Sequence, residues 1–295
     1  MLIVSFTTIP DRLEKGLPER CIQTLLRQEK KADLILVNIP RVSRKGVTYI
    51  AEKANALEET GVTVNWVETD AGPITKLFGT LDYIEKHNIH DARIVLVDDD
   101  VEYEPWMIQH LLDANQAAAG FVSRDPILSW GRISGTTWLN KEQAPTAFLE
   151  TYAGVMYDAN LFLPYANIRD WVASLPSNCH NADDILIGAW VQRKGVVSMR
   201  LANEKDPYKH DAAGTTELRS INLGENNDLV VQYLFDNFEF PHWQTPLSYA
   251  FAVFFHVWWI LLLLAIALCI YGMYGLSTVQ MPLLTGKITS YSYRA

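Results

Sequence analysis

Two groups of acids have the composition and spacing to do chemistry. Asp98, Asp99 and Asp100 are consecutive, and they follow Arg93-Ile94-Val95-Leu96-Val97, in which four of the five residues are aliphatic. Such a run reads as a buried strand of a parallel sheet that delivers the acids at its end. Three adjacent carboxylates repel one another, and the simplest relief is a divalent cation with oxygen ligands, carrying a phosphate on its far side. The carboxyl edge of a sheet is also where open α/β folds bind ligands. The second group, Asp183 and Asp184, precedes the apolar run Ile185-Leu186-Ile187-Gly188-Ala189-Trp190. Both acids then fall in the first turn of a helix, where the dipole favours negative charge.

The elements that must position these acids alternate. Leu2 to Thr7 reads as a strand, and Pro18 to Gln28 as a helix with Cys21, Ile22, Leu25 and Leu26 on one face. A strand over Asp33 to Ile39 follows, then a helix over Thr48 to Thr60 stopped by Gly61, then a strand over Val62 to Val67. The loop Thr69 to Pro73 opens a helix bearing Leu77, Phe78, Leu81 and Ile84, and the acid-tipped strand comes next. This order predicts right-handed crossovers and a largely parallel sheet with helices on both faces, an α/β fold of the Rossmann-like kind.

Beyond the acids, Pro105 to Gln116 reads as a helix and Gly120 to Ser123 as a strand. Residues 124 to 180, rich in aromatics, Gly and Pro, read as an irregular substrate-facing lobe. Val196 to Leu201 is expected at a sheet edge, Asn203 to Gly224 as a polar loop, and Glu225 to Phe238 as an amphipathic helix with Leu229, Val230, Tyr233 and Leu234 on one side.

From Phe240 through Gly286 the chain has no Asp, Glu, Lys or Arg. At roughly 1.5 Å per helical residue its apolar centre exceeds the roughly 30 Å hydrocarbon layer, so residues 247–276 are expected as one transmembrane helix, with a tail over 277–295. The first residues lack the basic and apolar regions of a signal peptide, which predicts a C-terminal anchor with the catalytic domain in the cytosol. Lys287 and Arg294 beyond the span, against Asp236 and Glu239 before it, pull weakly the other way. A net charge of −9 argues against a nucleic-acid partner, whose phosphates would need clustered Lys and Arg. Cys21, Cys179 and Cys269 share no metal-binding interval and read as buried small hydrophobes in a reducing compartment.

Five stretches in order carry a resemblance. They are Val4-Ser5-Phe6-Thr7-Thr8-Ile9-Pro10-Asp11-Arg12, Leu36-Val37-Asn38-Ile39-Pro40, Gly72-Pro73-Ile74-Thr75-Lys76-Leu77, Val97-Asp98-Asp99-Asp100-Val101 and Asp183-Asp184-Ile185-Leu186. Over about residues 1–240 the chain resembles the GT-A glycosyltransferases, and within them the family-2-like branch that uses nucleotide-diphosphate sugars. The resemblance implies a GT-A domain with a nucleotide-sugar-binding half over 1–123 and an acceptor half over 124–240.

By that likeness Thr7, Thr8, Pro10 and Arg12 hold base and ribose, Asp70 meets the base, and Lys76 meets base or phosphate. A lysine at the amino end of a helix is poorly placed for the dipole unless an anion binds nearby. Asp98-Asp99-Asp100 matches the DXD motif: Asp100 binds Mn²⁺ or Mg²⁺, while Asp98 and Asp99 contact ribose or the metal through water. A late His often adds a metal ligand, and His210 is the candidate, with His180 its rival and an ordinary surface role open to both. Asp183-Asp184 corresponds to the xED motif, with Asp184 as the base that deprotonates the acceptor hydroxyl and Asp183 as the alternative, or as a helix cap.

Processive synthases of that family carry Gln-x-x-Arg-Trp, whereas this chain has Gln192-Arg193-Lys194-Gly195, so single-sugar transfer is expected. The expected function is metal-dependent, inverting transfer of a sugar from a nucleotide diphosphate to a glycan, lipid-linked or protein acceptor at a membrane. Two other readings stay open. One is a membrane-tethered nucleotide-sugar-binding subunit without catalysis. The other is a Mg²⁺-dependent phosphatase of the haloacid-dehalogenase type, which Glu102 and the position of the triplet on the fourth strand disfavour.

Overall fold

Alternating side chains on nearly continuous aliphatic strands build an apolar core on each face of a central sheet. In the computed structural model, which describes residues 1–129, 132–138, 143–210, 226–239, 254 and 257–270, β1 is Leu2–Thr7, β2 Leu34–Pro40, β3 Thr63–Val67 and β4 Arg93–Leu96. Ile3, Leu36, Ile94 and Leu96 point to one core, and Val4, Phe6, Val37, Val95 and Val97 to the other. That period of two is why these strands are apolar along their whole length. The first core is covered by α4 (Thr75–Lys86), α6 (Tyr165–Ala173), α7 (Asp183–Arg193) and α8 (Asn227–Asn237), and the second by α2 (Leu17–Leu26) and α5 (Met107–Asp113). The short helices α1 (Pro10–Glu14) and α3 (Ala51–Ala56) complete the crossovers.

The strand order is β3-β2-β1-β4-β11-β6-β12-β9, with β6 at Ala118–Gly120, β9 at Ala144–Thr146, β11 at Val155–Asp158 and β12 at Ser198–Arg200. The first four strands are parallel, and β11 runs antiparallel to both β4 and β6. The two halves expected on either side of residue 123 therefore share one sheet, because β11 from the second half inserts between two strands of the first.

Several local expectations give way to tertiary pairing. The strand expected over Gly120 to Ser123 is the junction between β6 and β7 (Ser123–Ser129). The lobe expected to be irregular holds β7, β8 (Arg132–Trp138) and β10 (Phe148–Leu149) in a three-stranded sheet, together with β9, β11 and α6. β7 and β8 form a local hairpin with Ser129 opposite Arg132, whereas β9, β10 and β11 are two to four residues long and pair with strands distant in sequence, so no local period announces those three. The segment expected at a sheet edge, β12, is covered by β9. In the polar loop, Tyr208–His210 forms β13 against β5 (Val101–Tyr103). On α8, Val230, Val231 and Leu234 are buried, but Leu229 is exposed and lies off the apolar face. The helix expected over Thr48 to Thr60 begins at Ala51 and tightens into a 3-10 turn over Leu57–Thr60 before Gly61, whose φ is +93°.

The chain divides into two compact units, Met1–Phe251 and Ala252–Ala295. In the second, residues 257–270 are helical and exposed, with Trp258, Leu263 and Leu268 among the bare apolar side chains. Among the described residues no helix is long and apolar enough to cross a membrane. The remainder of the span expected over 247–276 lies outside the described residues, apart from Phe254.

Candidate active site

A buried polar knot fixes the first turn of α4 on the sheet. Ser5 Oγ donates to the Lys76 carbonyl at 2.7 Å and accepts from Asn38 Nδ2 at 2.9 Å and Thr80 Oγ1 at 2.6 Å. Gly79 makes this approach possible, since a Cβ there would collide with the Asn38 amide and Val67. With its backbone held, Lys76 sends its side chain along the carboxyl edge of the sheet, where it is 4% exposed.

Its ammonium meets Asp98 Oδ1 at 2.6 Å, Asp183 Oδ2 at 3.1 Å and Thr151 Oγ1 at 2.8 Å. Burial alone would drive Lys76 to lose its proton, but Asp183 and Asp98 more than offset that and raise its pKa. On the other flank, Arg12 forks across two acids, reaching Asp99 with one nitrogen and Asp100 Oδ2 at 2.7 Å with the other. Two cations of the chain itself, Arg12 and Lys76, thus relieve part of the repulsion within the triplet, alongside the divalent cation expected there. The relief is incomplete: burial, then Asp98, push Asp100 up to about 7 against the pull of Arg12.

Asp183 and Asp184 open α7. The N-cap position is Ala182 and no side chain caps the helix, so the capping role open to Asp183 is not taken; its carboxylate pairs with Lys76 instead. Asp184 Oδ1 accepts two hydrogen bonds from one residue, the Thr151 N–H at 3.0 Å and the Thr151 hydroxyl at 2.7 Å. Burial, followed by the charges of Asp183 and Glu150, raises Asp184 well above an ordinary carboxyl. Glu150 is itself pushed up to about 7 by burial, although Arg124 lies 2.6 Å from its Oε1.

The fold brings together Thr8, Arg12, Lys76, Asp98, Asp99, Asp100, Asp183 and Asp184. Thr8 is buried beside Asp99, with its hydroxyl 3.5 Å from the Ile9 carbonyl. Thr7 instead donates its hydroxyl to the Asn38 carbonyl at 2.8 Å, and Pro10 starts α1. Asp70 takes the Arg44 N–H and the Gly72 N–H, each at 2.7 Å, and borders a cleft of about 770 Å³ that also takes in Trp66, Phe78, Arg169 and His180. His180, with Nε2 at 3.0 Å from the Val172 carbonyl, belongs to that cleft. The register of β13 sets the His210 backbone opposite Val101, one residue from the triplet.

The donor set has the chemistry of a Mg²⁺ or Mn²⁺ site: hard carboxylate oxygens at a strand end, with Asp99 Oδ2 buried and lacking a hydrogen-bond partner. Among the described residues no three His, Cys, Asp or Glu side chains converge as a ready-made metal cluster, because Arg12 and Lys76 draw the acids to either side.

Sequence reasoning missed Thr151, Glu150, Arg124 and Tyr103. The Tyr103 hydroxyl accepts the Asp98 N–H at 2.9 Å and donates to the Tyr152 carbonyl at 3.0 Å, which braces the end of the acid-tipped strand. No motif or spacing marks these residues, because they reach the acids from β5, β7 and the turn after β10.

The sequence matches no protein-family model and no curated protein. Solved structures do match. A mannosyltransferase from Pyrobaculum calidifontis, in complex with GDP-Man and Mn²⁺, aligns at 14% identity and a TM-score of 0.51 over 85% of this chain and 68% of its own. TarS of S. aureus aligns at 13% identity and a TM-score of 0.46 over 82% of this chain and 41% of its own. A 4-diphosphocytidyl-2C-methyl-D-erythritol synthase aligns at 12% identity and a TM-score of 0.44 over 77% of this chain and 96% of its own. At such identities the likeness is one of fold, and with the parallel strands, the crossover helices and the acids at the carboxyl edge already described, the fold of this chain is GT-A-like.

Proposed function

We propose that the protein is a metal-dependent glycosyltransferase that moves one sugar, with inversion, from a nucleotide-diphosphate donor to an acceptor hydroxyl at a membrane. The observation that carries this reading is the meeting of two acid groups, Asp98 from the strand end and Asp183 from α7, on the single buried ammonium of Lys76. A donor half and an acceptor half thereby form one site at the sheet edge where α/β folds bind ligands. The mannosyltransferase of like fold, solved with GDP-Man and Mn²⁺, supports the donor class.

In this reading Thr7, Thr8, Pro10 and Arg12 receive the nucleoside, and Asp70 meets the base from the rim of the cleft. Asp100 with His210 would hold Mn²⁺ or Mg²⁺, Asp98 and Asp99 contacting the ribose or the metal through water, and the metal would supply charge stabilisation for the departing diphosphate. Asp184, raised in pKa by burial and its acidic neighbours, takes the proton of the acceptor hydroxyl as that oxygen attacks the anomeric carbon. The acceptor is a glycan, a lipid-linked group or a protein, and the exposed apolar helix over 257–270 supports a membrane location.

The test is release of nucleoside diphosphate from a panel of UDP- and GDP-sugars with Mn²⁺ or Mg²⁺. Release that stops with EDTA and is lost in Asp100→Ala is the expected result; full activity in Asp100→Ala would sink the metal role. Arg12 and Lys76 already neutralise much of the triplet, which favours a second reading as a nucleotide-sugar-binding subunit. Binding without release in every metal would select it.

A further inference from the structure

We infer that Lys76 and Thr151 form a one-way hydrogen-bond relay that fixes which oxygen of Asp184 is free to accept a proton, making Thr151 a positioning residue for the base. The inference rests on the proposed role of Asp184 only where turnover is concerned; the relay itself stands on the geometry.

The direction of the relay follows from the donor inventory. A lysine ammonium has three protons to give and no lone pair to offer. At 2.8 Å from Lys76 Nζ, the Thr151 oxygen must therefore be the acceptor, which leaves its one proton to point elsewhere. Asp184 Oδ1 lies 2.7 Å away and takes it. The Thr151 N–H also donates to that same oxygen at 3.0 Å. An oxygen that receives two donors is held in its unprotonated role, so any proton on Asp184 sits on Oδ2.

Three acidic neighbours keep this assignment in place. On the far side the Glu150 carboxylate, anchored by Arg124 Nε at 2.6 Å, faces Asp184 as a like charge. On the near side Asp98, at 2.6 Å from Lys76, and Asp183, at 3.1 Å, hold the ammonium against Thr151. The groups that face Asp184 are thus Glu150, Asp183, Lys76 and, at longer range, Asp98, and they come from four separate segments of the chain. Lys76 reaches both Asp98 and Thr151, so a ligand that draws Asp98 away changes the hold on the relay. Donor occupancy and the aim of Asp184 are linked through one ammonium.

The experiment is the carboxyl ¹³C titration of Asp184 in the full chain, read by NMR and assigned with Asp184→Asn, for the wild type, Thr151→Val and Thr151→Ser. Valine copies the shape of threonine and removes the hydroxyl while keeping the N–H; serine restores the hydroxyl. The expected result is an upward shift of the Asp184 midpoint in Thr151→Val, by about one pH unit as befits one lost hydrogen bond to a charged group, and a midpoint near wild type in Thr151→Ser. Thr151→Ala provides a second truncation should a methyl beside Lys76 block folding. An unshifted midpoint in both truncations would overturn the relay. In parallel, Mn²⁺-dependent release from GDP-mannose and UDP-glucose should fall on the order of tenfold in kcat for Thr151→Val with KM for the donor unchanged, and Thr151→Ser should recover it. A shifted midpoint together with a wild type that turns over no nucleotide sugar would reject the enzymatic reading and leave the relay standing; a shifted midpoint with wild-type kcat in Thr151→Val would reject the positioning role.

Discussion

Glu150 shows how burial sets the charge of a residue before its partners act. It is pushed from an ordinary 4.5 up to about 7 by desolvation, with Arg124 pulling down and Asp183 pushing up. The linkage sign follows from that shift. Between about 4.5 and 7 the folded chain binds more protons at Glu150 than the unfolded chain does, so this group's stabilisation is present at low pH and is lost as pH rises through about 7. Asp125, bonded to the Ala147 N–H and pushed by burial to about 6, acts with the same sign. The protein without divalent metal should therefore melt at a lower temperature at pH 8 than at pH 5, and Glu150→Gln should flatten that slope. Scanning calorimetry across the range checks it, and an unchanged slope in the variant would remove Glu150 from the account.

The delivery of the acids depends on how closely two helices approach the sheet. The seat of α4 comes from Gly79 and the Ser5-Asn38-Thr80 knot, and that of α7 from Gly188. A Cβ at Gly188 would come within 2.9 Å of the Phe148 Cα, a backbone atom that cannot swing aside. Gly188→Ala should thus push α7 off β10 and cost about 1–3 kcal/mol, the range for overpacking a filled core. Because Asp183 and Asp184 ride on the first turn of α7, activity should fall along with stability. Urea unfolding with a parallel assay of nucleoside diphosphate release measures both, and wild-type stability in the variant would show that the helix seat has slack.

On the scale of the whole molecule, the apolar surface is divided unequally between the two units. The first folds its large hydrophobics into two cores, whereas residues 257–270 of the second expose almost all of theirs. Such a surface is unfavourable in water at about 25 cal/mol per Å² of apolar area, which is the reason for proposing a lipid surroundings for it. The full chain should pellet with membranes and resist alkaline carbonate extraction. Recovery in the carbonate supernatant would count against an integral anchor.

Much of this was legible in the sequence because it was local. An aliphatic run such as Arg93 to Val97 specifies a strand buried on both faces, Gly61 stops the segment before β3, and three acids at a strand end announce an electrostatic demand. The order of the elements determined the parallel half of the sheet. What only the tertiary structure decided was how that demand is met and by whom. Arg12 and Lys76 reach the acids from helices α1 and α4, Thr151 and Glu150 face Asp184 from the turn after β10, and Arg124 of β7 pairs with Glu150. β11 joins the sheet between strands that precede it by some thirty to sixty residues. The physical reason is the same in each case: a strand or a helix is specified by neighbours in the chain, but the state of a buried charge depends on donors and acids that are close only in space.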